Sequence, residues 1–303
     1  MKPVLFSVGA LSISSFGFFL LIACGVGVYI IWRIVRVYDL DEEKSLDLII
    51  LTIAGGLIVS RLYFVLFHIE QFDSVIKIIL VNRYPGFSFW GAFFGAFGIF
   101  RVLCARFKLN FWQMADLVMP GVFLGISVAT LGCLLGSCEY GLVTNAPFAI
   151  IQAGLVDKRF PVQVVESLLF FLGFLYLWKG ALRFHRFGAI TAEGLMLIGI
   201  FKFMLEFFYG SRQQFGVFSA GLVYSVLLII SALWVYYFTN KRSPLADLKM
   251  LKVLAQRSDK RHELVSKIGK NWYNLKVDFK VTFQKAKKGL LKLLNVRANP
   301  QKF

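Results

Sequence analysis

Cysteine and histidine are scarce in this 303-residue chain, four and three in number. Four cysteines over this length do not make a disulfide framework. Cys24 and Cys104 lie within apolar runs and read as small buried hydrophobes. Cys133 and Cys138 stand close together near the end of another run, where a disulfide or a metal pair is open. No histidine or further cysteine joins them, so packing is the expectation and no metal or cofactor is assigned. The apolar blocks also lack a regular alternation of apolar and polar residues over ~10 positions, which counts against a membrane β-barrel. No inverted internal repeat is visible, and no polar path crosses the inner half of the bundle derived below, which counts against a small transporter.

What the chain has in abundance is apolar and aromatic side chains: 58% are hydrophobic and 17% aromatic, and the mean hydropathy is +0.69. Soluble domains are roughly half apolar. Here the apolar residues gather in blocks of about 20, the length that crosses a ~30 Å hydrocarbon core. The fold class expected is an all-α integral membrane protein, a bundle of seven transmembrane helices at about 12–33, 46–68, 87–105, 112–135, 162–179, 189–208 and 217–238. Leu21-Ile22-Ala23-Cys24 looks like a lipoprotein cleavage box, but the run continues through Tyr29, Ile30 and Trp32, so a retained first span is expected.

Cytoplasmic loops collect Lys and Arg. The connections after spans 1, 3 and 5 carry Arg36 and Lys44, Arg106 and Lys108, and Arg183 and Arg186. The alternate connections mix Lys77 and Arg83 with Glu70 and Asp73, and Lys158 and Arg159 with Glu139 and Asp157. The N-terminus is therefore expected outside and the C-terminus in the cytoplasm.

Four charges fall inside the spans: Arg61, Glu166, Lys202 and Glu206. A charge near the bilayer centre costs at least ~2.5–3.5 kcal/mol on insertion scales, so such residues usually face a polar cavity. In this orientation all four lie in the outer half, with Gln163 and the polar end of span 4. Lys202 and Glu206 are four apart and can pair on one helix face. Each cation taken singly could instead snorkel to the headgroups. The expectation is a wet, cationic cavity open to the outer leaflet, suited to a lipid phosphate. Asp116 and Glu193 lie at the opposite ends, where capping is expected. Glycines along spans 3 and 4 allow close helix approach, while Gly86-Phe87-Ser88-Phe89-Trp90-Gly91 opens span 3 where backbone amides can hold an anion.

These residues resemble the prolipoprotein diacylglyceryl transferase family, in order and spacing, over spans 2 to 7. Ser60-Arg61-Leu62-Tyr63-Phe64-Val65-Leu66-Phe67 is similar to its G-A-R-L-G-Y-V-L-F, and Gly86 to Ala92 resembles G-M-S-F-H-G-G. Asp116 with Pro120 matches D-x-x-x-P. Thr130-Leu131-Gly132-Cys133-Leu134-Leu135-Gly136-Ser137-Cys138-Glu139-Tyr140-Gly141 resembles R-I-G-N-F-I-N-G-E-x-W-G, and more closely a variant R-I-G-C-F-L-A-G-C-C-Y-G. Phe160 to Glu166 looks like H-P-S-Q-L-Y-E, and Phe201 to Phe208 like F-R-x-x-x-E-F-F.

The resemblance implies transfer of a diacylglyceryl group from phosphatidylglycerol to the lipobox cysteine thiol of a prolipoprotein, with release of glycerol phosphate. It implies a seven-helix bundle opening sideways to lipid. It implies Lys202, Arg61, Glu166 and Glu206 as catalytic residues, and Gly86, Ser88, Trp90, Gly91, Thr130, Gly132, Cys133, Glu139 and Gln163 as the substrate-binding set. Cations would hold the phosphate as charge develops, and a base or hydroxyl relay (Tyr63, Tyr84 or Tyr140) would activate the thiol. The chain departs from the pattern at several positions. The family's histidine in span 3 is Trp90, its arginine in span 4 is Thr130, its asparagine is Cys133, its acid is Cys138 with Glu139 offset by one, and its histidine before the proline is Phe160. Lys202 replaces an arginine and keeps the charge without the bidentate fork. Arg83 and Arg212 are candidates for the missing clamp. The alternatives are a non-catalytic relative that binds lipid or protein in the same cavity, and a small transporter.

Residues 1–240 are expected to form the transmembrane transferase-like domain and 241–303 a cytoplasmic tail. The tail holds 17 Lys or Arg against four Asp or Glu. Leu264, Ile268, Trp272, Leu275, Phe279, Phe283, Ala286, Leu290 and Leu293 recur at three- and four-residue steps, an amphipathic stripe, with a strand open over 275–283. An anionic lipid surface is the expected partner, rather than nucleic acid, and the expected location is the bacterial cytoplasmic membrane.

Overall fold

A computed structural model describes residues 4–8, 11–72, 74–79, 86–152, 154–210, 214–215, 218–241 and 266. By its contacts the chain divides after Lys241. The basic stripe expected over 241–303 lies outside the described residues except for Lys241 and Ser266, as do Arg83, Tyr84 and Arg212.

A two-stranded antiparallel hairpin, β1 (Val4–Val8) and β2 (Leu11–Ser14), precedes α1 (Ser15–Val37). The first helix therefore starts three residues later than the hydropathy suggested. The Ser14 hydroxyl accepts from the Gly17 amide at 3.1 Å and sets that boundary. Next come α2 (Glu42–Phe67), the short α3 (Val75–Ile79), α4 (Phe89–Arg106) and α5 (Phe111–Gly136). Between α5 and α6 (Val162–Ala181) lie the short paired strands β3 (Ile150–Ile151) and β4 (Lys158–Arg159). After α7 (Ala189–Glu206), β5 (Gln214–Phe215) pairs with β6 (Phe218–Ser219), and α8 (Ala220–Asn240) follows.

Each of the seven apolar blocks thus holds one long helix. Five of these, α1, α2, α5, α6 and α8, are long and apolar enough to cross a membrane. The other two, α4 and α7, have 18 residues each, and α7 carries Glu193, Lys202 and Glu206. The helices leave large apolar side chains on their outer faces, among them Leu21, Ile58, Leu66, Phe94, Val102 and Trp234. Lipid solvates such a surface, so helix association falls to packing and internal hydrogen bonds.

Helix α1 packs on α5, α2 on α4, α5 on α6, α6 on α7 and α7 on α8. Small residues make the closest of these seams. A Cβ on Gly121 would stand 2.5 Å from Ile31 Cγ1 and 2.8 Å from the Gly27 carbonyl oxygen, so α1 and α5 nearly touch backbone to backbone. Ser127 and Ser167 each donate to the other's carbonyl, at 2.9 and 2.8 Å, and join α5 to α6.

The end of the bundle away from the hairpin is tied by Asp116. Its carboxylate is fully buried and accepts from the amides of Gly188 and Thr191 (2.6 and 2.7 Å) and from the Thr191 hydroxyl (2.6 Å). Those amides begin α7, so a side chain of α5 caps another helix and opposes its positive dipole end. Gly188 has φ +92°, and a Cβ there would run into Thr239, which restricts the position to glycine. His185 Nε2 stands 3.4 Å from Asp116, and its Nδ1 lies 3.3 Å from the Tyr38 hydroxyl, which donates to the Ala181 carbonyl. Capping at this end was the expectation for Asp116. Asp116→Ala would strand two buried amides, each worth about 1–3 kcal/mol. A loss of about 2–5 kcal/mol is expected in unfolding of the detergent-solubilised protein, against about 1 kcal/mol for Thr191→Val.

Candidate active site

Glu166 is the fifth residue of α6 and Lys202 the fifth from the end of α7, so antiparallel packing brings them to one depth. They meet: Lys202 Nζ is 2.5 Å from Glu166 Oε1. The carboxylate side chain is 2% exposed, whereas the lysine side chain keeps 40% of its surface open. The lysine side chain thus stays part-open, with its counter-charge buried beneath it. The other carboxylate oxygen, Oε2, accepts from the Tyr209 hydroxyl at 2.8 Å.

Tyr209 was not singled out from the sequence. It lies just past α7, buried against Val162 and Leu205. Its place comes from the segment after α5, because Gly141 bridges to Tyr209 and the Gly210 amide donates to the Tyr140 carbonyl at 2.8 Å. Burial and the Glu166 and Glu139 carboxylates push the phenol up from its usual range. It remains a protonated donor at neutral pH. Gln163, 1% exposed, accepts from Gln152 Nε2 at 3.2 Å and donates to the Glu139 backbone carbonyl, which pins residues 139–152 onto α6.

The expected meeting of four charges is realised only for Glu166 and Lys202. Arg61 does not join them. Its Nε, Nη1 and Nη2 donate to the carbonyls of Ile78 (3.0 Å), Gly86 (2.7 Å) and Lys77 (3.3 Å), and its guanidinium lies over Phe72. Depth along a helix does not fix which way a side chain faces. Lys202 pairs with Glu166 on the next helix rather than with Glu206, four residues on. The Glu206 carboxylate lies directly against Gly221 in the first turn of α8.

The opening of α4 serves packing more than anion binding. Ser88 caps the helix, accepting from the Gly91 amide at 3.3 Å, and is tied to Ser60 by two hydrogen bonds. A Cβ on Gly91 would stand 2.6 Å from Tyr63 Cβ and 2.9 Å from Ser60 Cα, so the glycine seats α4 on α2. Gly86 gives its carbonyl to Arg61 and sits against the Phe64 ring. Trp90 packs on Tyr224 of α8 and stacks on Phe94. In α5, the Thr130 hydroxyl returns to the Ser127 carbonyl at 2.9 Å, and Gly132 makes room for Phe19.

The left-handed Ser137 cap (φ 54°) curls the chain so that the Cys138 amide donates to the Cys133 carbonyl and the two thiols meet. Both cysteines are free.

Comparison with known proteins identifies the family. Residues 3–238 match the family described as prolipoprotein diacylglyceryl transferase. The chain belongs to the prolipoprotein diacylglyceryl transferase family. Among its relatives is the phosphatidylglycerol–prolipoprotein diacylglyceryl transferase of Finegoldia magna, 26% identical over 76% of this chain and 93% of the relative. The enzyme of that name from Synechococcus elongatus is 26% identical over 84% of this chain and 82% of its own. The second such transferase of Clostridium perfringens is 28% identical over 78% and 94%. Family membership extends over all seven long helices, and Glu166, Lys202 and Tyr209 lie inside the matched region.

A hydrogen bond from Cys133 holds the Cys138 thiol below its usual value of 9.0, so its thiolate forms at lower pH than in an unpaired cysteine. Alkylation of Cys138 by a water-soluble maleimide should therefore rise with pH through a midpoint below 9, and Cys133→Ala should move that midpoint upward. Cys104, fully buried, should stay unmodified throughout.

Proposed function

We propose that this protein transfers the diacylglyceryl group of phosphatidylglycerol to the lipobox cysteine thiol of a prolipoprotein, at the end of the bundle that holds Lys202. The observation that carries this reading is a half-open lysine cation fixed on a buried carboxylate, in a chain whose relatives are named for that transfer. The acceptor sulfur forms a bond to the glycerol carbon, the carbon–oxygen bond to phosphate breaks, and the electron pair leaves on glycerol phosphate. The leaving oxyanion needs a cation, and Lys202 is the residue placed to offer one. Glu166 and the Tyr209 hydroxyl hold that ammonium in place. Glu139, exposed beside them, is the base best placed to take the thiol proton.

Arg61 has a different part, since its donors are committed to carbonyls on either side of residues 80–85. It ties α3 and Gly86 to α2. Glu206, against the first turn of α8, sets the α7–α8 packing. The positive connections after α1, α4 and α6 support an external N-terminus, seven crossings and a site in the outer half of the bacterial cytoplasmic membrane. The basic tail from 241 suits the anionic inner leaflet.

The test is direct. The purified protein, in micelles containing phosphatidylglycerol, is given a lipobox peptide and the peptide is weighed by mass spectrometry. A mass gain of one diacylglyceryl group is expected. Lys202→Ala should slow it by about 10²–10³-fold, the range seen when one stabilising donor is removed from a reaction centre. Glu166→Gln should leave lysine unanchored and slow transfer while lipid still binds. Lipid binding without product in the unaltered protein would identify a non-catalytic relative instead.

A further inference from the structure

The Lys202 site is not cationic in sum. Lys202 is neutralised by Glu166, and Glu139 stands close enough to act on both Lys202 and Tyr209. A phosphodiester anion approaching this group meets as much negative as positive charge. A further cation is needed at the rim, and Arg159 is one.

Arg159 is the last residue of β4. Its guanidinium lies over the Tyr140 ring, 4.8 Å from the centroid, and Nη1 donates to the Gly141 carbonyl at 3.1 Å. A Cβ on Gly210 would stand 3.0 Å from that Nη1, so the guanidinium rests against the residue that follows Tyr209. No carboxylate pairs with Arg159 among the described residues. Its Nε is buried and donates to nothing. Arg61, the other arginine inside the protein, differs on this point, because all three of its nitrogens find carbonyls. A buried donor without an acceptor is rare and points to an acceptor from outside the chain. A stacked guanidinium with free N–H groups matches the planar, bidentate geometry of a phosphate.

We propose that Arg159 binds the phosphate of the donor lipid headgroup at the rim of the site, before transfer at Lys202. This deepens the transfer reading and rests on it. The order of the two cations follows from their surroundings: Arg159 supplies the uncompensated charge that draws the anion in, and Lys202 faces the oxygen that leaves. The same contact would hold the phosphate of released glycerol phosphate.

The test uses the full chain in detergent micelles, titrated with phosphatidylglycerol or with uncharged diacylglycerol, with the lipid retained per protein measured by mass spectrometry. Arg159→Gln should weaken phosphatidylglycerol binding about tenfold and leave diacylglycerol retention as it was. Equal loss of both lipids, or loss of neither, overturns the proposal. If the glutamine variant does not fold, Arg159→Lys decides. A drop of threefold or more confined to phosphatidylglycerol supports the need for the fork, and equal affinity overturns it. Glycerol phosphate should displace the lipid from the unaltered protein and do so about tenfold less well in Arg159→Gln, whereas equal competition would remove the phosphate from the argument. Binding needs no turnover, so the two readings fail separately. Selective lipid binding without lipidated peptide sinks the transfer and leaves Arg159 standing. Equal lipidation by both proteins at sub-saturating lipid does the reverse.

Discussion

The contact between Glu166 and Lys202 is the constraint around which this molecule is arranged. A carboxylate buried among apolar helices is costly unless a cation reaches it, and among the described residues Lys202 alone does so. Meeting that demand fixes the register of α6 against α7. The same carboxylate then takes the Tyr209 hydroxyl, which requires the chain after α7 to turn back over the end of the bundle. That turn is held by the Gly141–Tyr209 bridge and by the Gly210 and Leu142 amides. One ion pair therefore governs two helices and the two connections above them.

Asp116 makes a useful contrast, since it is another buried carboxylate in the same bundle. Its donors are two amides, a hydroxyl and a histidine, all belonging to the protein, and it is closed on every side. Glu166 is as deeply buried, yet its partner keeps a large part of its surface open. Saturated polar groups hold a fold together. A charge that is anchored on one side and open on the other is placed to meet something that the chain does not supply.

How much of this was legible in the sequence depends on what kind of information each feature needs. The seven helices follow from runs of apolar residues, and side-chain caps set some of their ends, as at Ser14 and Asp41. Glu166 and Lys202 could be placed at one depth because helix rise is regular. Arg61 could be placed at a depth too, but its partners are carbonyls of the α2–α4 connection, whose course hydropathy does not describe. Tyr209 and Arg159 were missed for a related reason. Their positions come from bridges between segments nearly 70 residues apart and from a guanidinium stacked on Tyr140, and no periodicity records either.

The side of the bundle formed by α2 and α4 was expected to share the chemistry, and its atoms argue otherwise. Trp90 meets aromatic rings, Gly91 is filled by α2, and Ser60 and Ser88 satisfy each other. Arg61 has spent its donors on backbone. With those groups committed, the polar atoms left to act among the described residues include those at the end of α5, on α6 and α7, and in the connections over them. The residues there include Lys202, Tyr209, Glu139 and Arg159. The Trp90 ring lies in an aromatic seam with Phe94 and Tyr224, which gives a packing reason for a tryptophan at position 90.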